Sequence, residues 1–233
     1  MKGWSRAANQ RPEARSTQLV LTLGVAGLLS GLAIVSAYEW TLPRIEANQA
    51  TALRAAVFRV LPGVSRVQPL LYSRGRLRSA APGRHQGPLV YAGCDRHGRT
   101  MGFAIPGAGP GFQDTIKVLF GYRPDLGLIV GLEILESRET PGLGDRIYKD
   151  AAFQKNFRAL AVQPPITLVK RGTKRAPNEV DGITGATISS RAVVNILNAE
   201  IEKWRLRLPE GRSLGCHQEA ILGSLSSKQR GEP

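Results

Sequence analysis

Between Ser16 and Tyr38 the chain carries no charged side chain. This run of 23 residues is long enough to cross a bilayer as one helix. Residues 45–61 change to helical spacing, with Leu53, Val57, Phe58 and Leu61 on one stripe and Pro62-Gly63 as the stop. This helix reads as a continuation of the apolar one. Residues 68–87 show little periodicity and carry Arg74, Arg76, Arg78 and Arg84. They read as an exposed basic connection with room for one short strand. Leu89 to Cys94 and Thr100 to Ile105 flank the turn formers Asp95-Arg96-His97-Gly98 and predict a hairpin, with His97 in solvent. Ile116 to Tyr122 and Leu128 to Leu135 are two more strands. Asp150 to Ala161 predicts a helix through Phe153, Phe157 and Leu160, and Ile166 to Lys170 a short strand. The last periodic segment spaces Val194, Leu197, Ile201, Trp204 and Leu208 three and four residues apart, as one face of a helix several turns long.

Strands in hairpins with helices at the ends predict an α+β fold, mostly antiparallel, behind a single N-terminal transmembrane helix. The expected division is a basic tail over 1–16, an anchor over 17–40, a helix and basic connection over 41–84, a folded domain over 85–208 and a polar tail over 209–233. Lys2, Arg6, Arg11 and Arg15 precede the span, whereas only Arg44 and Arg54 lie within 39–58. That asymmetry puts the N-terminus in the cytoplasm and exports the domain, to the periplasm in a double-membrane bacterium. A cleaved signal peptide is the competing reading, because Val35-Ser36-Ala37 resembles a cleavage site. The apolar run is longer than an ordinary signal core, which favours a retained anchor in the inner membrane.

The net charge is +14. A basic surface suits anionic membrane lipid or an acidic redox partner. Nucleic acid is not the expected partner, since no helix-turn-helix, zinc or RNA-binding pattern is present. Cys94 and Cys216 are the two cysteines, and the three histidines give them no ligand spacing, so no metal site is expected. Spacing leaves open whether the cysteines pair. Cys216-His217 lies in the polar tail and reads as incidental.

Candidate chemistry gathers at Asp181-Gly182-Ile183-Thr184-Gly185-Ala186-Thr187-Ile188-Ser189. Thr187 follows a small, flexible turn and opens the last helix, where free backbone N–H groups favour a phosphate. Ser189 and Ser190 could cap that helix or donate to a phosphate oxygen. The same residues also suit an ordinary capped helix after a glycine turn. A second segment, Glu139-Thr140-Pro141-Gly142-Leu143-Gly144, sits between a strand and a helix. Pro141 stiffens it, and its glycines leave a backbone against which a flat ring could lie.

Asp-x-x-Thr-Gly-Ala-Thr resembles the site at which ApbE-type flavin transferases join FMN to threonine, taking it from FAD with release of AMP. Together with the Glu139 to Gly144 segment, it is similar to the G-subunit family of Rnf-type ion-translocating complexes. The related C subunit of the sodium-pumping quinone reductase carries similar motifs. The resemblance covers about residues 17–208. It implies covalent FMN on Thr187, with Thr184, Gly185, Ala186 and Ser189 around the phosphate, and Glu139, Thr140, Pro141, Gly142, Leu143 and Gly144 near the ring. It also implies other membrane subunits of such a complex as partners, and an ApbE-type transferase for maturation. The chain would then be an electron-carrying subunit rather than an independent catalyst. A subunit like that of the sodium-pumping reductase, a stand-alone exported flavin carrier and a structural anchor without flavin are the alternatives. No catalytic residue is expected, because Glu139 reads as a structural carboxylate pairing with Arg138 or Arg146. The family has a glycine-rich stretch, commonly with a tyrosine, where this chain has Pro106 to Gly111 followed by Phe112-Gln113-Asp114-Thr115. A flavin contact from that stretch is therefore not carried over.

Overall fold

The computed structural model describes residues 16–80, 87–209 and 216. The basic tail before Ser16, the stretch around Arg84, and the polar tail beyond 209 except Cys216 lie outside the described residues. The chain divides into two compact units, Met1–Ala50 and Thr51–Pro233. Most of helix α1 (Ser16–Val60) belongs to the first. Leu21, Leu23, Leu28 and Ile34 leave its surface exposed. A helix of 45 residues with an apolar surface all round for its first half is long and apolar enough to cross a membrane. The anchor and the 45–61 helix are thus one element.

The second unit is α+β. Its strands are β1 (Arg66–Ser73), β2 (Arg76–Ser79), β3 (Leu89–Cys94), β4 (Thr100–Pro110), β5 (Thr115–Arg123), β6 (Leu128–Glu136) and β7 (Leu160–Ala161). They form one antiparallel sheet in the order β2-β1-β3-β4-β5-β6-β7. After β6 come the short helices α2 (Arg146–Lys149) and α3 (Ala151–Lys155). A small parallel pair, β8 (Thr167–Val169) with β9 (Glu179–Asp181), leads into the long helix α4 (Thr187–Trp204).

Both faces of the sheet are covered, which is why β5 reads as nearly continuous apolar sequence. Phe103, Ile105, Val118 and Phe120 pack with Val193, Leu197 and Ile201 of α4. On the opposite face Ala104 and Leu119 pack with Ala56, Val57, Val60 and Leu61 at the end of α1. That approach needs glycine. Gly93 pairs with Gly102 and Gly121 with Gly131, so a lane without side chains crosses β3 to β6. A methyl group on Gly131 would stand 2.6 Å from the Val60 carbonyl oxygen.

Four expectations are corrected. The stretch 68–87, read as a connection, holds β1 and β2, a hairpin that extends the sheet. Its two-residue turn places both Arg74 and Gly75 at positive φ, a geometry for which arginine is an uncommon choice. The stretch Pro106 to Pro110 is the second half of β4, paired with β5. Pro106 fits because β3 pairs with β4 only as far as Ala104, so its missing N–H faces no neighbour. Gly107 and Gly109 admit Ile196 of α4. The helix expected over 150–161 ends at Lys155 and becomes a 3-10 turn over Asn156–Arg158 before β7. Buried Asn156 accepts from the Asp181 N–H and donates to the Asp181 and Phe153 carbonyls, which ties this turn to β9. Finally, Cys216 is no bystander: it forms a disulfide with buried Cys94 and donates its N–H to Gly98.

Candidate functional site

β6 runs out at Glu136, and Glu139 then turns inward, with its residue 5% exposed. Its Oε1 accepts the N–H groups of Phe112 (2.9 Å) and Gln113 (3.0 Å), in the short connection between β4 and β5. Its Oε2 accepts the Ser189 hydroxyl from the first turn of α4. One carboxylate therefore holds three segments that are far apart in sequence. Burial pushes the Glu139 carboxyl up. The bonds from Ser189 and from the Gln113, Phe112 and Asp114 backbone outweigh it and hold the group below the usual carboxylate range.

The rest of the loop is shaped around this anchor. Thr140 donates its hydroxyl to Gln113 at 3.0 Å. Gly142 takes φ +79°, and its N–H donates to Asp145 Oδ1 at 2.8 Å. Gly144 packs so closely on Glu139 and Ser189 that an added methyl would lie 2.9 Å from the Ser189 Oγ. Leu143 stays 52% exposed and lies near Gly185.

On the other side of the clamp, β9 leads through Gly182 and Ile183 to Gly185, at φ +84°. Arg146 donates to the Thr184 carbonyl at 3.0 Å. The N-cap of α4 is Ala186, which has no side chain to satisfy the helix. Ser190 is the first residue of the helix whose N–H meets a protein acceptor, the Ala186 carbonyl. The N–H groups of Thr187, Ile188 and Ser189 meet none among the described residues. Buried Ser190 instead stiffens the turn, donating to Ala186 and accepting from the Ile183 N–H. Thr187 is exposed at the helix start, and no hydrogen bond holds its hydroxyl among the described residues. Ile188 beside it and Phe112 on the clamped connection are exposed apolar side chains.

The two segments singled out in the sequence, Glu139 to Gly144 and Thr184 to Ser189, thus meet in one place. Two assignments change. Glu139 pairs with neither Arg138 nor Arg146. Arg138 faces Asp114 and Glu136, while Arg146 faces Asp150. Ser189 and Ser190 are neither caps nor free donors, since both hydroxyls are buried and committed. Gln113 and Asp145 belong to the site's frame although local pattern carried no sign of it, because their partners lie in the folded loop. An anion at the start of α4 would meet three unsatisfied N–H donors, the positive end of a helix dipole and the Thr187 hydroxyl. Arg146, which reaches the turn before the helix through the Thr184 carbonyl, adds positive charge there, although it also faces Asp150.

A family model described as FMN-binding domain matches residues 111–202, the span that contains both segments. The G subunit of the ion-translocating oxidoreductase complex of Methanosarcina acetivorans is 29% identical over 186 residues, 80% of this chain and 93% of that protein. Its counterpart in Cereibacter sphaeroides is 30% identical over 188 residues, 79% of this chain and 83% of that protein. The fold is similar to that of Shewanella oneidensis NqrC, with a TM-score of 0.55 at 19% identity, covering 65% of this chain and 91% of that one. The chain belongs to the G-subunit family of ion-translocating oxidoreductase complexes.

Proposed function

We propose that this chain is a membrane-anchored electron-transfer subunit of an Rnf-type ion-translocating complex and carries FMN as a phosphoester on Thr187. The observation that carries the reading is the exposed Thr187 hydroxyl on a helix start whose first three N–H groups have no protein acceptor among the described residues. Those N–H groups would take the phosphate oxygens. Thr184, Gly185 and Ala186 leave room at the turn, and exposed Leu143 and Ile188, with the Thr140 to Gly144 backbone, would meet the ring. Bound FMN supplies one- and two-electron transfer. The chain's own residues bind and orient it: Glu139 fixes the two loops, and the covalent oxygen keeps the group from dissociating. The ring can then stay open to partners, because retention does not depend on enclosing it.

Attachment forms the bond from the Thr187 Oγ to phosphorus as the pyrophosphate bond of FAD breaks: AMP leaves, the hydroxyl proton is released, and an ApbE-type transferase is the catalyst. The domain lies outside the cytoplasm, in the periplasm, with the N-terminus inside and the anchor in the inner membrane and its lipid. Two observations support this orientation: the cation asymmetry around the span and the Cys94–Cys216 disulfide, which belongs to an oxidising compartment. The other membrane subunits of the complex are its partners.

The likeness to NqrC supports a second reading, a subunit of a sodium-pumping quinone reductase. The subunits that copurify separate the two. For the flavin itself, full-length chain coexpressed with the transferase is run on a denaturing gel. Wild type is expected to show flavin fluorescence in its band, and Thr187→Val none. A dark wild-type band would leave the third reading, a structural anchor without flavin.

A further inference from the structure

From Leu61 to Cys94 the chain has no aspartate, glutamate or lysine, yet it has Arg66, Arg74, Arg76, Arg78 and Arg84. The fold puts most of these at one margin. β2 is the edge strand of the described sheet. Leu77 packs toward the α4-side core, so Arg76 and Arg78, one residue to either side, leave by the other face. Arg74 stands in the hairpin turn. Arg207, beyond the end of α4, lies 4.9 Å over the Tyr72 ring, and Tyr72 pairs with Leu77. Guanidinium groups therefore surround the edge strand on both faces and at its tip.

All four arginines are exposed. None has a carboxylate within ion-pair distance among the described residues. Elsewhere in the domain Arg59 meets Glu133, Arg123 meets Asp125 and Arg171 meets Asp150, while Arg66, Arg158, Arg191 and Arg205 also lack a carboxylate within ion-pair distance among the described residues. What sets the β2 margin apart is the density of its arginines, at 74, 76 and 78, with no acidic residue anywhere from Leu61 to Cys94.

We propose that the β2 edge docks an extended acidic segment of a partner protein, which adds as a strand beside β2 and sets its carboxylates against Arg74, Arg76 and Arg78. An edge strand offers a row of main-chain donors and acceptors that a peptide can pair with. The planar guanidinium fork matches a carboxylate in two-point contact, and every cation here is arginine. A layer of anionic headgroups would use the charge but not the main chain. Cations on both faces of one strand wrap a narrow ligand better than they meet a plane. The surface lies toward the far end of α4 from Thr187; that helix has 18 residues, about 27 Å at 1.5 Å per residue. A partner there would leave the flavin end open. The proposal rests on reading the chain as one subunit of a larger complex.

The test uses full-length flavinylated chain in neutral detergent. Its probes are a synthetic peptide of alternating glutamate and valine, the same peptide N-methylated at alternate amides, and phosphatidylglycerol vesicles. The expected result is binding of the unmethylated peptide with new hydrogen-exchange protection of the outward-facing Leu77 and Ser79 amides, since those of Arg76 and Arg78 face β1. Arg76→Glu/Arg78→Glu should weaken it at least tenfold while in-gel flavin fluorescence stays at the wild-type level. The docking idea is overturned if both peptides bind alike, if the peptide binds without protecting β2, or if only the vesicles bind in an arginine-dependent way. In the last case the edge serves lipid. Loss of fluorescence in wild type would instead count against the flavin reading, independently of the peptide result.

Discussion

Glu139 keeps a negative charge inside the protein because Ser189 and the Phe112 and Gln113 N–H groups all point at it. Its pKa is lowered in the folded state, so its contribution to stability is fully present above the unfolded carboxyl value of about 4.3 and is lost as pH falls through the folded value. Glu139→Gln keeps the shape but not the charge and should cost about 1–3 kcal/mol at pH 7. Urea unfolding of both proteins at pH 7 and near pH 3.5 checks this. The gap is expected to shrink in acid, and a gap independent of pH would contradict the clamp. This role was not legible in the sequence. An adjacent arginine looked like the natural partner, whereas the real donors stand 26, 27 and 50 residues away. The place of Thr187 at the start of the last helix was legible, because a helix start after Gly185 is a local feature that needs no tertiary contact to be read.

Among the elements, α4 was readable for the same reason, since its buried face repeats at helical spacing, although the helix ends at Trp204, before the last position of that spacing, Leu208. The β1–β2 hairpin was not. Pro69 interrupts its apolar pattern and Arg74 occupies a turn position where asparagine or glycine is the usual signal. The end of the helix at Lys155 was equally hidden, because Asn156 stops it by bonding to β9, 25 residues on. The lone glycines within strands mark close approach of another backbone. They differ in physical class, and in consequence, from the loop glycine Gly142. Gly131→Ala drives a methyl into the α1 backbone and should cost about 1–3 kcal/mol through displaced packing. Gly142→Ala meets nothing within 4 Å and should cost only about 1 kcal/mol, from positive φ. Thermal unfolding of the two variants should rank them in that order. A larger loss for Gly142→Ala would contradict the packed lane.

At the scale of the molecule, the disulfide closes a separation of 122 residues and fastens the chain beyond α4 to the β3–β4 turn. Cross-links of this span restrict the unfolded chain strongly, and reduction should cost about 3–5 kcal/mol. A thermal melt with and without reductant should show a clear fall in midpoint, while flavin stays attached, since Cys94 lies at the start of the β3–β4 turn and the site opens from the other end of β4. An unchanged midpoint would mean the bridge is dispensable to the fold. The whole molecule then has an anchor, a sheet covered on both faces and one long helix whose start presents an exposed threonine hydroxyl. The most direct measurement of the central claim is peptide-mapped mass spectrometry of chain extracted from membranes that also contain the transferase. The account predicts a flavin phosphate on the peptide bearing Thr187, localised to that residue by fragmentation. An unmodified Thr187 in that sample, or the flavin on another residue, would contradict it.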